Sequence, residues 1–135
     1  MIPSSELRIG NLVSFVEDAN RYKDYHEVTD INTQIALCHN GDVDTGELFP
    51  IPLTPDILEK CGFVKNKLGE MSIEVTDPSF HLELMEGKEN YFYPSITQTP
   101  DMDEERTVWL NRINSLHQLQ NLFYCLVGEE LSINL

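Results

Sequence analysis

The sequence predicts an α+β fold. A small bent antiparallel sheet or partial barrel comes first, a short helix and an antiparallel meander follow, and a C-terminal amphipathic helix packs on the sheet. Three observations carry that expectation. Short β-rich runs separated by turn residues fill the first third. Apolar and polar residues alternate over most of residues 71–84. Apolar residues then recur at helical spacing from Leu116 to Val127. The 135 residues suit one domain, 1–135, within which 1–53 would form a small β unit and 54–135 the helix, meander and closing helix. A chain of this size buries roughly two-thirds of its unfolded surface, so a core can form without disulfides or metal.

In order along the chain, Asn11 to Val16 is an apolar run entered through Gly10-Asn11, and the polar stretch Glu17 to Asp24 reads as a hairpin loop. Tyr25 to Ile31 is the returning strand, anchored by Val28 and Ile31. Gln34 to Cys38 is a third strand, with Asn40-Gly41-Asp42 marking the turn after it. Leu48 to Leu53 contains Pro50 and Pro52, which confine it to a sheet edge or an extended segment.

Thr54 is an N-cap, Pro55 fits the first helical position, and Asp56 suits the positive end of the helix dipole. Ile57, Leu58 and Cys61 would face the core, and Gly62 supplies a left-handed terminus with Phe63 folding back. Beyond it, Met71, Ile73 and Val75 alternate with Ser72, Glu74 and Thr76, and Asp77-Pro78-Ser79 is a turn. Phe80, Leu82 and Leu84 alternate with His81, Glu83 and Met85, giving one buried and one wet face. Glu86 to Asn90 turns the chain into Tyr91-Phe92-Tyr93. Pro94 to Glu105 loses periodicity and reads as a mobile acidic loop, and Arg106 to Asn111 is a last strand centred on Val108 and Trp109.

The closing helix opens on Ser115, with Gln118 completing a capping box, and ends at Gly128. Leu116, Leu119, Leu122, Phe123, Leu126 and Val127 form its apolar stripe. The opposite face carries His117, Gln120, Asn121 and Tyr124, and no residue from Ser115 to Gly128 is formally charged at neutral pH. In a chain of net charge −14, that absence has two readings. The face packs on another part of the fold or on a second subunit through amide and hydroxyl hydrogen bonds, or it is an exposed polar face that lacks charge by chance. These four residues are the candidate contact face.

Nine basic and 23 acidic residues produce that net charge, which repels nucleic-acid phosphates and anionic lipid. No direct nucleic-acid or membrane binding is therefore expected. A basic protein partner would be favoured, nucleic acid could be imitated, or the acidity could serve solubility alone. Cys38, Cys61 and Cys125 form no CxxC pair and read as buried reduced thiols of a cytoplasmic protein. Met1 to Glu6 lacks the blocks of a signal peptide, and no apolar run approaches the ~20 residues that span a bilayer.

Chemical signatures are sparse. His26, His39, His81 and His117 lie far apart in sequence and form no i, i+4 helical pair. In Asn40 to Glu47, Gly46 falls one residue late for a calcium loop and Ile51 stands where the closing Glu is required, so a turn is the better reading. GxSxG, Walker A and GxGxxG are all missing. The pairs Glu104-Glu105 and Glu129-Glu130 sit in polar settings. No catalytic residue, cofactor or metal is expected.

Three segments carry a resemblance: Leu7-Arg8-Ile9-Gly10-Asn11; Pro50-Ile51-Pro52-Leu53-Thr54 running to Gly62-Phe63; and His117-Gln118-Leu119-Gln120-Asn121-Leu122 ending in Gly128-Glu129-Glu130-Leu131. In order and spacing the chain resembles a family of small uncharacterised proteins of Bacteroides-group gut bacteria, often encoded among prophage or mobile-element genes. Ser115-Leu116 departs from the family's aromatic–Val pair, and Phe123-Tyr124-Cys125 departs in aromatic order. The resemblance implies a cytoplasmic setting and no catalytic residue.

Three functions compete. The first is a non-enzymatic protein-binding or accessory module, whose contact is a protein partner or self-association. The second is an acidic inhibitor that imitates nucleic acid in a basic cleft. The third is an enzyme with a dispersed site drawn from residues such as His81, His117, Tyr91 and Tyr93.

Overall fold

The computed structural model describes residues 2, 4–14, 25–31, 35–38, 41–44, 48–76, 79–98 and 106–134. In chain order its elements are a 3-10 turn (Ser4–Glu6), β1 (Leu12–Ser14), β2 (Tyr25–Ile31), β3 (Ile35–Cys38), β4 (Gly41–Asp44), α1 (Pro55–Lys60) and β5 (Val64–Lys65). They continue with β6 (Met71–Thr76), β7 (Ser79–Glu86), a 3-10 turn (Lys88–Asn90), β8 (Phe92–Gln98), β9 (Arg106–Trp109) and α2 (Leu116–Val127). The fold is α+β with two antiparallel sheets, ordered β1-β2-β3-β4 and β5-β6-β7-β8-β9. Among the described residues no helix is long and apolar enough to cross a membrane.

The chain divides into two compact units, Met1–Pro52 with Ser115–Glu130, and Leu53–Asn114 with Leu131–Leu135. The sequence groups the closing helix with residues 54–135, but α2 belongs with the first sheet. It packs on β1, and hydrogen bonds from its polar face to the chain around β1 hold it there. Ile2, Val13, Val28 and Leu48 form a buried cluster in this unit, with Leu7 against it. Leu116 and Leu119 of α2 are fully buried, each contributing about 1.5–3 kcal/mol relative to exposure before entropy.

Val13 pairs with His26, and the register of β2 shifts between Val28 and Asp30 where it meets β3. Gly41 and Asp42, expected in a turn, instead begin β4, opposite Cys38 and Leu37. A hairpin needs only two connecting residues, and here these are 39–40, outside the described residues. The loop expected at Glu17 to Asp24 lies there too. Leu48 to Leu53 is extended, as its prolines require. Phe49 exchanges backbone hydrogen bonds with Ser14, and Pro52 bridges Ser115.

In the second unit α1 forms as its punctuation predicts. The Ile57 amide donates to Thr54 Oγ1 at 3.2 Å, and Pro55 opens the first turn. At the other end the amides of Gly62 and Phe63 donate to the carbonyls of Glu59 and Leu58, the paired closure of a Schellman motif, with Gly62 at φ +92°. The meander buries Met71, Val75, Phe80, Leu82, Leu84 and Phe92, which share one face by register. Asp77-Pro78, expected in the turn between β6 and β7, lies outside the described residues.

β8 is longer than the sequence predicts. It runs through Pro94 to Gln98, a stretch expected to be loop, and only residues 99–105 of that loop remain outside the described residues. The Pro94 carbonyl accepts from the Leu110 amide at 2.9 Å, so the ring nitrogen also faces the β9 side. Beyond Trp109 the register shifts, and Phe92 next exchanges hydrogen bonds with Ile113. The missing donor thus falls at an irregularity between pairs, a place that tolerates proline.

Two thiols differ sharply. Cys61 is buried, and burial pushes its thiol up to about 12, whereas Cys125 is exposed, contrary to the sequence expectation. The stripe of α2 lies on the Leu116–Leu119–Phe123 side, which leaves position 125 outward. A thiol reagent added to the native protein is expected to label Cys125 and spare Cys61 until denaturant is present; peptide mapping of the modified chain checks this.

Candidate functional site

β1 is an edge strand, and an edge exposes backbone donors and acceptors that need partners. Gln120 meets that need with one carboxamide. Its Oε1 accepts from the Leu12 amide at 2.8 Å, while its Nε2 donates to the Gly10 carbonyl at 3.0 Å. The side chain thus stands where a neighbouring peptide group would stand, and it is 3% exposed.

Asn121 repeats the pattern one position on. Its Nδ2 donates to the Glu6 carbonyl at 2.8 Å, and its Oδ1 accepts from Asn11 Nδ2 at 2.8 Å and Arg8 Nε at 3.2 Å. Asn11, fully buried, also accepts the Arg8 amide on Oδ1 at 2.7 Å and so shapes the bend before β1. Gly10 completes the bend at φ +95°, where a Cβ would be strained and would sit 3.2 Å from Glu130 Oε1.

Arg8 is the charged centre of this clasp. Its guanidinium makes a bidentate pair with Glu130, Nη1 to Oε1 and Nη2 to Oε2, the latter at 3.1 Å. It also lies over the Tyr124 ring, 4.4 Å from the centroid. The Glu130 hydrogen bond raises the Arg8 pKa above its ordinary value, and part-burial opposes it. Glu130 is therefore not merely a solvated charge in a Glu129-Glu130 run, which is how the sequence presents it.

The four candidate residues are thus used differently. Gln120 and Asn121 bind the chain's own N-terminal segment. Tyr124 is 41% exposed and backs Arg8. His117 is 2% exposed, with Nε2 3.4 Å from Glu6 Oε2 and Nδ1 buried without a partner. Burial lowers the His117 pKa from its usual value, and the neighbouring Glu6 only partly offsets this. The Ser115 half of the expected capping box does not form, because Ser115 Oγ is buried and makes no capping bond. At the first helical position the Leu116 amide donates to the Ile51 carbonyl at 2.8 Å, so an adjacent extended segment satisfies that donor.

Of the residues of a dispersed enzyme site, His117 falls in the first unit, and His81, Tyr91 and Tyr93 in the second. His81 is exposed on β7, opposite Glu74 and Thr97. Glu70 is the one carboxyl among the described residues with a raised pKa, through desolvation first and then Glu83. No alternation or motif in the sequence marks that pair. Among the described residues no group of three or more His, Cys, Asp or Glu could hold a metal ion. Comparison with known proteins finds no matching family model, no matching curated protein and no matching solved structure.

Two outcomes follow from the clasp. Gln120→Leu strands the Leu12 amide and the Gly10 carbonyl and is expected to cost about 2–4 kcal/mol in urea denaturation. Gln120→Glu sets a carboxylate oxygen against the Gly10 carbonyl and costs at least as much. Arg8→Ala is expected to cost about 1–3 kcal/mol, with Arg8→Lys recovering little because it cannot form the fork or the stack. The second outcome concerns pH. His117 titrates lower in the folded chain than in the unfolded one, so its neutral form is favoured by folding. Stability is kept above the ordinary imidazole value of about 6.5 and lost as pH falls through it. Between pH 7.5 and 5.5 the native chain should lose more stability than His117→Gln, as chemical denaturation at each pH will show.

Proposed function

We propose that this chain is a non-enzymatic protein-binding or accessory module, acting in the cytoplasm, of the phage- or mobile-element-encoded kind that its closing segment resembles. The observation that supports the reading is β9. This strand ends the five-stranded sheet, and its outer side pairs with no described strand. It carries Trp109, 56% exposed, and Val108, 58% exposed. Exposed tryptophan is costly to leave in water and is the residue type most concentrated at the centres of protein interfaces. The opposite edge, β5, is two residues long and carries Lys65, both devices that discourage pairing. β9 is twice as long, four residues, and its one charge, Arg106, lies at its first position, away from Val108 and Trp109.

The acidity fits the same reading, since a net charge of −14 steers basic partners toward the chain. The clasp face is already engaged by Arg8, Gly10, Asn11 and Leu12, so the partner is assigned to the meander sheet.

Affinity capture from a Bacteroides-group lysate, run in parallel with the native chain and Trp109→Ser, tests the assignment. A discrete partner retained by the native chain, lost by Trp109→Ser and reduced at high salt is the expected result. Equal recovery by both chains, or no recovery by either, contradicts it.

A further inference from the structure

The peptide groups of β9 alternate in direction, and one hydrogen bond sets the phase. Because Leu110 donates to the Pro94 carbonyl, positions 94 and 110 form a hydrogen-bonded pair. The ladder runs Ser95–Trp109, Ile96–Val108, Thr97–Thr107 and Gln98–Arg106. Alternation then makes Val108 and Arg106 bond inward to β8, and leaves the N–H and C=O of Thr107 and Trp109 pointing outward. The Thr97 and Thr107 hydroxyl oxygens, 3.3 Å apart, suit a non-hydrogen-bonded pair.

Two outward residues with one between them make a self-complementary edge. Resting on the binding reading above, we infer that β9 pairs with β9 of a second copy of this chain, antiparallel, about a two-fold axis at Val108. In that register Thr107 of each copy exchanges both backbone hydrogen bonds with Trp109 of the other. Four bonds form and no outward group of the two residues is left over. Faces match as well, because directly opposed residues in an antiparallel pair share a face. Val108, on the face that carries Leu82 and Ile96, meets Val108 of the other copy, and Trp109 lies beside Thr107. Arg106 faces Leu110 of the other copy. An axis one pair further along, at Trp109, would instead set Arg106 against Arg112, two like charges opposed. The net charge of −14 on each copy works against pairing, so added salt strengthens it by screening.

Sedimentation velocity of the full chain, from low to high micromolar at low and high salt, reads the association. Emission of Trp109, the single tryptophan, reads the contact itself. A dimer that grows with concentration and with salt, with emission moving to shorter wavelength, is expected. Thr107→Pro removes the outward donor and the hydroxyl contact to Thr97 but no inward backbone bond. It should weaken association about tenfold or more, whereas Thr107→Val, which removes the hydroxyl alone, should not. Opposite residues in a non-hydrogen-bonded pair lie within disulfide reach, so Val108→Cys should oxidise to a linked dimer and Thr107→Cys should not. A monomer at every concentration and salt, with no Val108→Cys linkage, overturns the inference. Equal linkage of both cysteine variants overturns the register. If the native chain stays monomeric yet loses a captured partner on Trp109→Ser, self-pairing fails while the binding reading stands. A dimer that Trp109→Ser leaves undiminished refutes the role of the edge in both.

Discussion

An exposed strand edge demands a partner that both donates and accepts, and along β1 Phe49 provides it at Ser14 while a single side-chain amide provides it at Leu12 and Gly10. Gln120 faces the Leu12 amide with an oxygen and the Gly10 carbonyl with a nitrogen, so a helix substitutes for the next strand. Asn121 does the same between Glu6 and Asn11. Neither a carboxylate, which only accepts, nor an ammonium, which only donates, could fill these places. That is the physical reason positions 120 and 121 of α2 carry amides rather than charges in a chain of net charge −14. The amides also bring Arg8 to Glu130, because the bend that presents the Gly10 carbonyl aims the guanidinium along the helix.

Much of the fold was legible where local chemistry decides it. The caps of α1 are complete within ten residues of sequence, and Thr54, Pro55, Gly62 and Phe63 behave as their side chains dictate. The limits of β2 were equally plain, because they are set by residues close together in the chain. The buried side of α2, in contrast, is Leu116, Leu119 and Phe123 with His117 and Gln120, and Leu122, Leu126 and Val127 of the expected stripe are only half-buried. Illegible features depended on distant partners. Ser115 has the composition of a capping box, but its hydroxyl is buried and caps nothing, while Pro52 bridges Ser115 and the Ile51 carbonyl accepts from the Leu116 amide. Pro94 looks like a strand breaker until the register shift between Trp109 and Ile113 places its missing donor at an irregularity. Gly41 and Asp42 resemble a turn because nothing local reveals how short the hairpin loop is.

The candidate face was recognised for the right chemical oddity, yet its partners could not be read from the sequence. Arg8 and Glu130 are 122 residues apart, and no periodicity links them. Two of the three segments that carry the family resemblance, Leu7 to Asn11 and His117 to Leu131, supply most of the clasp residues. In this chain those residues hold the first unit together. In the meander sheet β9, four residues with Val108 and Trp109 exposed, is the longer edge and β5, two residues, the shorter, an asymmetry that becomes visible only once strand order is known.

The central claim is that the Gln120 carboxamide substitutes for a strand at the edge of β1. Amide hydrogen exchange at Leu12 addresses it most directly. The account predicts that the Leu12 amide is protected in the native chain and loses that protection in Gln120→Ala, while the amides of Leu82 and Leu84 in the meander are unchanged. A Leu12 amide that exchanges in the native chain as fast as in an unstructured peptide would contradict it.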